Sequence, residues 1–261
     1  MADGGDVSGQ VAVITGGSSG LGLETARLFL EQGGSTVIVG RDAARGGAAC
    51  ERLSGLGPVA FLEADVRDPA AVDGVVREAE RRFRRLDVMV ASAGVGVVCG
   101  LADTVADDWR WTWETNVSGS LYAAQAAVRS MRSAGRPGSV VLVGSDAGLL
   151  GERSIGAYSV SKAAVVMMTK VLALDCAADG IRVNCVCPGF FEPGMLHFPA
   201  RTGPGGAGAE SGYVDPPRPP VGRYARVEEV ARAVLYFAGP SSSFCTGSVL
   251  LVDGGATAGI P

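Results

Sequence analysis

Thr15-Gly16-Gly17-Ser18-Ser19-Gly20-Leu21-Gly22 is the stretch on which the reading of this chain turns. It follows the β-rich run QVAVIT (10–15) and opens a helical pattern over 20–33. A strand, a glycine turn and a helix in immediate succession bring backbone N–H groups to a pyrophosphate at the positive end of the helix. Glycine is needed because a Cβ would obstruct the tight turn and the close approach. The spacing TGxxxGxG in a first βα turn is more specific than a lone GxGxxG. Gly16, Ser18, Ser19, Gly20, Leu21 and Gly22 are therefore candidate dinucleotide contacts.

Outward from this turn the chain alternates. Further apolar runs at 35–40, 58–64, 86–91, 139–144, 181–186 and 248–252 read as strands, making seven in all. Helical patterns lie near 42–54, 69–85, 104–134, 157–178 and 227–238. Near-continuous Val, Ile and Leu content suits strands covered on both faces, hence a parallel sheet. The alternation predicts an α/β, doubly wound, Rossmann-like seven-stranded sheet with helices on both faces. One domain over 9–261 is expected behind a flexible N-terminal tail at 1–8. The segment from Pro188 to Gly222 breaks the rhythm, and its cluster of Phe190, Phe191, Met195, Leu196 and Phe198 suggests a substrate lid over about 189–222.

Composition narrows the class. Of 261 residues, 47% are apolar and 19% charged, which excludes a disordered chain. The 39 glycines have no three-residue period, which excludes collagen. A net charge of −4 argues against a nucleic-acid partner. No apolar run approaches the ~18 residues of a membrane span, and the start MADGGDVSGQ lacks the marks of a signal peptide. The expectation is a cytoplasmic protein with small-molecule ligands. Six scattered cysteines show no metal spacing and read as free thiols. The close pair Cys185 and Cys187 is expected to point to opposite faces of a strand.

The second strand ends at Gly40-Arg41-Asp42. An acidic residue at this strand end would bind ribose hydroxyls, whereas an arginine accommodates a 2′-phosphate. Arg41 leans the reading to NADP(H), with NAD(H) as the alternative. Tyr158 and Lys162 lie four apart in a helical pattern and share a face. An ammonium beside a phenol favours phenolate and is expected to lower the Tyr158 pKa from ~10 toward working pH, which suits a general acid or base. Only two lysines occur, Lys162 and Lys170, so a lysine at this place is informative. Ser145, at the end of the fifth strand, could hydrogen-bond a substrate carbonyl and its developing oxyanion.

These motifs together resemble a classical short-chain dehydrogenase/reductase, over roughly residues 9–255. The matching elements are the TGGSSGLG turn, Asp65-Val66, Asn116 in NVSG, Ser145 with Tyr158-x-x-x-Lys162, Pro188-Gly189 and the closing Gly247…Val252-Asp253-Gly254-Gly255. The resemblance implies that Tyr158 exchanges a proton with the substrate oxygen and that Lys162 holds the nicotinamide ribose. It implies that Ser145 polarises the carbonyl and that Asn116 holds a water linking Lys162 to solvent. Asp65 and Val66 would meet the adenine; Ser92, Ala93 and Gly94 would line the adenosine half; Pro188, Gly189 and Phe191 would back the nicotinamide. A homotetramer, or a homodimer, is implied as well.

Two departures stand out. Ala91-Ser92-Ala93-Gly94 replaces the usual Asn-Asn-Ala-Gly, which is expected to weaken a hydrogen-bond set near the adenosine. Pro193 stands where a threonine usually anchors the nicotinamide carboxamide, and proline offers neither hydroxyl nor N–H.

The remaining features have plainer readings. His197 is expected to be solvent-exposed. Trp109, Trp111 and Trp113 are expected to pack against neighbouring helices. Arg81, Arg82, Arg84 and Arg85 read as a solvated helix terminus.

The expected function is NAD(P)-dependent interconversion of a ketone and a secondary alcohol, leaning to NADPH-driven reduction of an apolar or cyclic carbonyl compound. Arg201 or Arg218 is available for a substrate carboxylate. The alternatives are an NAD-dependent dehydrogenase oxidising a secondary alcohol in a biosynthetic pathway, and a non-catalytic dinucleotide-binding regulator on the same fold.

Overall fold

The computed structural model of the chain describes residues 7–191 and 218–259. Seven parallel strands form one sheet in the order β3-β2-β1-β4-β5-β6-β7. They are β1 (Val11–Thr15), β2 (Ser35–Gly40), β3 (Val59–Glu63), β4 (Val88–Ala91), β5 (Gly138–Val143), β6 (Ile181–Pro188) and β7 (Val249–Val252). The chain winds outward from β1 to β3, then returns past β1 to β4 and continues the other way. That reversal leaves a crevice beyond the carboxyl ends of β1 and β4, where ligands bind in open α/β sheets.

Strand side chains alternate between two cores, as the period of two demands. Val13 faces a core built with α3 (Pro69–Phe83), α5 (Gly119–Ser133) and α6 (Gly156–Cys176). Ala12 and Ile14 face the other, built with α1 (Gly20–Glu31), α2 (Ala43–Leu53) and α7 (Val227–Ala238). Val7 is fully buried in this second core, so the chain packs before the expected end of the tail at residue 8.

The pattern over 104–134 reads as one helix, but the structure divides it. α4 (Ala106–Trp113) runs into a π-helical turn at Glu114–Ser118 before α5 begins. Such a turn inserts one residue into the helical ladder and is frequent at functional sites. Asn116 sits within it. Trp109 and Trp113 depart from the expected packing between helices: they stack on each other, 5.7 Å between ring centroids, on an exposed face of α4. The exposed arginine cluster is partly paired: Arg81 and Arg82 share Glu78, and Arg85 pairs with Asp87. No helix among the described residues is long and apolar enough to cross a membrane.

Candidate active site

The glycine turn is built by close backbone approach. Gly16 has φ +68°, and a Cβ there would lie 3.0 Å from the backbone of Ala93. A Cβ on Gly22 would lie 2.5 Å from the carbonyl oxygen of Gly16. Ser19 precedes α1 in extended conformation and makes no side-chain cap. By contrast, Asp42 caps α2 and Asp68 caps α3. The first N–H groups of α1 therefore face the crevice without a side-chain acceptor, as an anion site at a helix N-terminus requires.

The loop after β4 forms the opposite wall, and two side chains hold it. Thr15 Oγ1 accepts from the Ser92 and Ala93 N–H groups at 3.1 and 3.2 Å. Asn116 accepts from Val95 N–H at 2.8 Å, and donates to the Val95 carbonyl at 2.8 Å and to Ser161 Oγ at 2.9 Å. Thr15 from β1 and the π-turn asparagine thus hold this loop from two sides. The Asn116 amide serves as a loop clamp.

Between these walls lies a pocket of ≈ 200 Å³. Gly16, Ser19, Gly20, Leu21 and Gly22 line one end; Ser92 and Gly94 line its flank. Ser145, Tyr158, Lys162, Pro188, Gly189 and Phe191 line the rest. Lys162 Nζ donates to the Val143 carbonyl at 2.8 Å and sits 5.5 Å above the centre of the Tyr158 ring. The Tyr158 hydroxyl hydrogen-bonds Ser145. Three residues separated by up to seventeen positions therefore converge on one wall, because β5 ends where the first turns of α6 pass over it.

The electrostatics differ from the expectation drawn from spacing. Burial pushes the Tyr158 phenol up rather than down, and burial pushes Lys162 down to about 8. The ammonium lies over the ring face rather than at the hydroxyl, so desolvation outweighs charge attraction. A stability consequence follows. A lysine whose folded pKa falls below its unfolded value makes the fold more stable as pH rises through that interval. Lys162 is expected to contribute a gain of about 2 kcal/mol between pH 8 and 10. The Cys187 thiol, pushed up by its contact with Cys185, and the Cys176 thiol, pushed up by burial, act in the opposite sense, as does Tyr158 above pH 10. Denaturant titrations of wild type and Lys162→Met across this range should show the Lys162 gain as the difference between them.

Residues 16–257 match a family model described as enoyl-(acyl carrier protein) reductase. An NADP-dependent (R)-specific alcohol dehydrogenase of Lentilactobacillus kefiri is 32% identical, over 97% of this chain and 98% of that one. A cis-4-hydroxycyclohexanecarboxylate dehydrogenase of Sinomonas cyclohexanicum is 37% identical, over 95% and 97%. The crystal structure of a short-chain type dehydrogenase/reductase from Mycobacterium marinum superposes with a TM-score of 0.85 at 30% identity, covering 97% of both chains. The chain is a short-chain dehydrogenase/reductase. It is accordingly an NAD(P)-dependent oxidoreductase of alcohols and ketones.

The residues of this dehydrogenase/reductase fit such a dinucleotide. The cradle that any Cβ would fill and the uncapped end of α1 suit a pyrophosphate. Ser18, Arg41, Asp65 and Val66 lie beyond the pocket, at or near the ends of β1, β2 and β3. Asp42 accepts from Arg45 N–H at 2.9 Å as the cap of α2, so its carboxylate is committed to the helix. A Cβ on Gly40 would lie 3.0 Å from Ser18 Oγ, and no acid stands at this strand end. Arg41 remains half-exposed, 4.0 Å from Asp65. The Arg67 guanidinium grips Asp65 at 2.6 Å and holds its carboxyl below the usual range. Val66 is buried against Gly119. Ala93 sits beneath Gly16 rather than in the pocket.

The cysteine pair corrects another expectation. Cys185 and Cys187 lie on the same face of β6 with sulfurs 3.7 Å apart, since residues i and i+2 of a strand share a side. All six cysteines are free, three of them buried. Among the described residues no three His, Cys, Asp or Glu side chains gather as a metal site. Most of the proposed lid, including Pro193, His197 and Arg201, lies outside the described residues; Phe191 is described and pairs with Ala225 across a short bridge.

Sequence reasoning missed Val227, Val95 and Gly96 in the pocket wall, and nothing local to those residues marks them.

Proposed function

We propose that this enzyme reduces ketones to secondary alcohols with NADPH, taking apolar or cyclic carbonyl substrates and using Tyr158 as general acid. The observation that carries the reading is the convergence of Ser145, Tyr158 and Lys162 on the pocket that also holds the glycine turn. Tyr158 donates its phenolic proton to the substrate oxygen. Ser145 orients that oxygen. Lys162, buried at 4% exposure, anchors the ribose side of the cofactor. The bound nicotinamide supplies the hydride. Asn116 holds the loop against which the cofactor lies. Assays of a panel of ketones and alcohols by nicotinamide absorbance, with NADPH and NADH in parallel, test the reading. Turnover only with small hydrophilic sugars would sink the apolar-substrate part of it.

The NADP lean rests on the missing acid at Gly40 and the commitment of Asp42 to its helix cap. The relative from Lentilactobacillus kefiri, described as NADP-dependent, supports it. Arg41→Asp is expected to weaken NADPH binding about 10-fold or more, the loss of one charge-assisted phosphate contact, with little change for NADH. No sharp loss of NADPH affinity would favour NAD-dependent oxidation of an alcohol instead. A cyclic substrate bearing a carboxylate is supported by the hydroxycyclohexanecarboxylate dehydrogenase among the relatives and by exposed Arg218, which borders the lid segment.

Assembly into a homotetramer or homodimer is supported by an apolar stripe on α6. Met167, Val171 and Leu174 are 58%, 51% and 82% exposed, an apolar row on one helix of the kind that supports a protein–protein contact. Leu174→Lys is expected to lower the mass seen by light scattering; an unchanged mass would place the contact elsewhere.

A further inference from the structure

We propose that Asp146 is a positioning residue for the reacting pair, linked to Tyr158 through Ser145 in one chain of hydrogen bonds and exchanging a proton with the phenol along it. The proposal rests on the functional reading above and deepens it.

The geometry is specific. Ser145 Oγ donates to Asp146 Oδ1 at 3.0 Å and accepts from Ala147 N–H at 3.2 Å. It also hydrogen-bonds the Tyr158 hydroxyl. A serine hydroxyl has one hydrogen and two lone pairs. Its hydrogen goes to Asp146 and one lone pair to Ala147, so Tyr158 must be the donor in the third bond. The direction is therefore Tyr158 O–H to Ser145 O–H to Asp146. Asp146 Oδ1 accepts a second bond from Ala147 N–H at 2.8 Å, which fixes the carboxyl against the turn.

The carboxyl is 7% exposed, and its Oδ2 lies behind Gly189, where a Cβ would stand 3.2 Å away. Among the described residues the charged group facing it is Asp253 at the end of β7; from α6 it meets Tyr158, on which Glu152 also acts. Asp253 is saturated by the Gly255 and Thr257 N–H groups and the Thr257 hydroxyl, and is held as carboxylate. Burial beside that charge pushes Asp146 up, which favours its carboxylate as the proton acceptor at the end of the chain.

In alcohol oxidation the substrate hydroxyl gives its proton to Tyr158, Tyr158 gives its own to Ser145, and Ser145 gives its own to the Asp146 carboxylate. Three O–H bonds break and three form. The net change is one proton moved from the substrate hydroxyl to Asp146, from which solvent water takes it. Ketone reduction runs the same chain in reverse, from an Asp146 carboxyl protonated by solvent. The chain gives Tyr158 a proton route that does not involve Lys162.

The test is single-turnover ketone reduction in mixtures of H₂O and D₂O, with wild type, Asp146→Asn and Tyr158→Phe. Asn keeps the acceptor at Oδ1 but cannot hold the proton. Wild type is expected to show a curved proton inventory. Asp146→Asn is expected to show a linear one, a rate roughly 10-fold lower (below the ~10²-fold of a direct general acid), a flattened acid limb of the pH profile and unchanged NADPH affinity. A linear inventory in wild type overturns the chain without recourse to any variant. So does an Asp146→Asn enzyme with wild-type rate and pH profile while Tyr158→Phe is inactive, and that result leaves the functional reading standing. Absence of turnover in wild type with every ketone and alcohol overturns the functional reading itself.

Discussion

Tyr158→Phe is expected to lower turnover by about 10³-fold while leaving NADPH affinity unchanged. A positioned proton donor contributes ~10² to 10⁴-fold, and the substitution removes only the hydroxyl. The ring stays beneath Lys162 Nζ, 5.5 Å from its centre, so the packing of α6 over β5 persists. Burial pushes the phenol up in the ligand-free protein, so Tyr158 enters the reaction protonated, as a donor to the substrate oxygen should. Stopped-flow turnover and fluorescence titration of NADPH check the two halves separately. A non-catalytic regulator would lose nothing measurable, and undiminished turnover would move the proton donor to another group.

Arg182→Met is expected to be strongly destabilising although the residue lies outside the site. Arg182, on β6, reaches beneath the sheet and donates to the Phe237 and Gly239 carbonyls at 2.9 and 3.2 Å, where α7 ends. It donates also to Ser242 Oγ at 2.8 Å and to the Ser242 and Cys245 carbonyls at 3.0 and 3.3 Å. A cation at the negative end of a helix is favourable, and its loss strands several half-buried acceptors at once. The cost is roughly 3 kcal/mol, since each unsatisfied buried group costs ~1–3 and water recovers part of it. That corresponds to a fall in Tm of about 6–12 °C in a chain of this size. A calorimetric shift below about 2 °C would show that water replaces the guanidinium in full.

The two predictions sit at different depths of legibility. Tyr158 is legible in the sequence because two residues four apart on a helix share a face wherever it packs, and because its partner Lys162 is one of only two lysines. Arg182 was not, because its acceptors lie up to 63 positions away and belong to a helix end that only the folded sheet brings near. The same divide runs through the site. The glycine turn was legible as a local motif. Its support by Thr15 on Ser92 and Ala93 was not, since 77 and 78 residues separate the partners. Asn116 was found by pattern, but its use as a clamp on Val95 needed the π-turn that breaks the helix. Val227 enters the pocket wall from the far side of the lid segment.

The Tyr158 expectation failed for a physical reason of general use. Spacing says which charges are neighbours, but the sign of a pKa shift is set by desolvation against attraction. Burial is a property of the whole fold. The cysteine expectation failed differently, on the strand period itself: residues two apart share a face.

The sequence by itself determined the order of strands, turns and helices along the chain, the parallel sheet and the positions of the glycine turn and of the candidate residues Ser145, Tyr158 and Lys162. Those are properties of period and local spacing, carried by the backbone wherever it packs. Only the tertiary structure decided where protons and charges rest. Asp146 meets Ser145 along the chain but is placed against Asp253 across the sheet, and a Cβ on Gly46 would displace the Phe61 ring that packs over it. Each is a contact between residues brought together by packing, and packing sets the burial on which their energies depend.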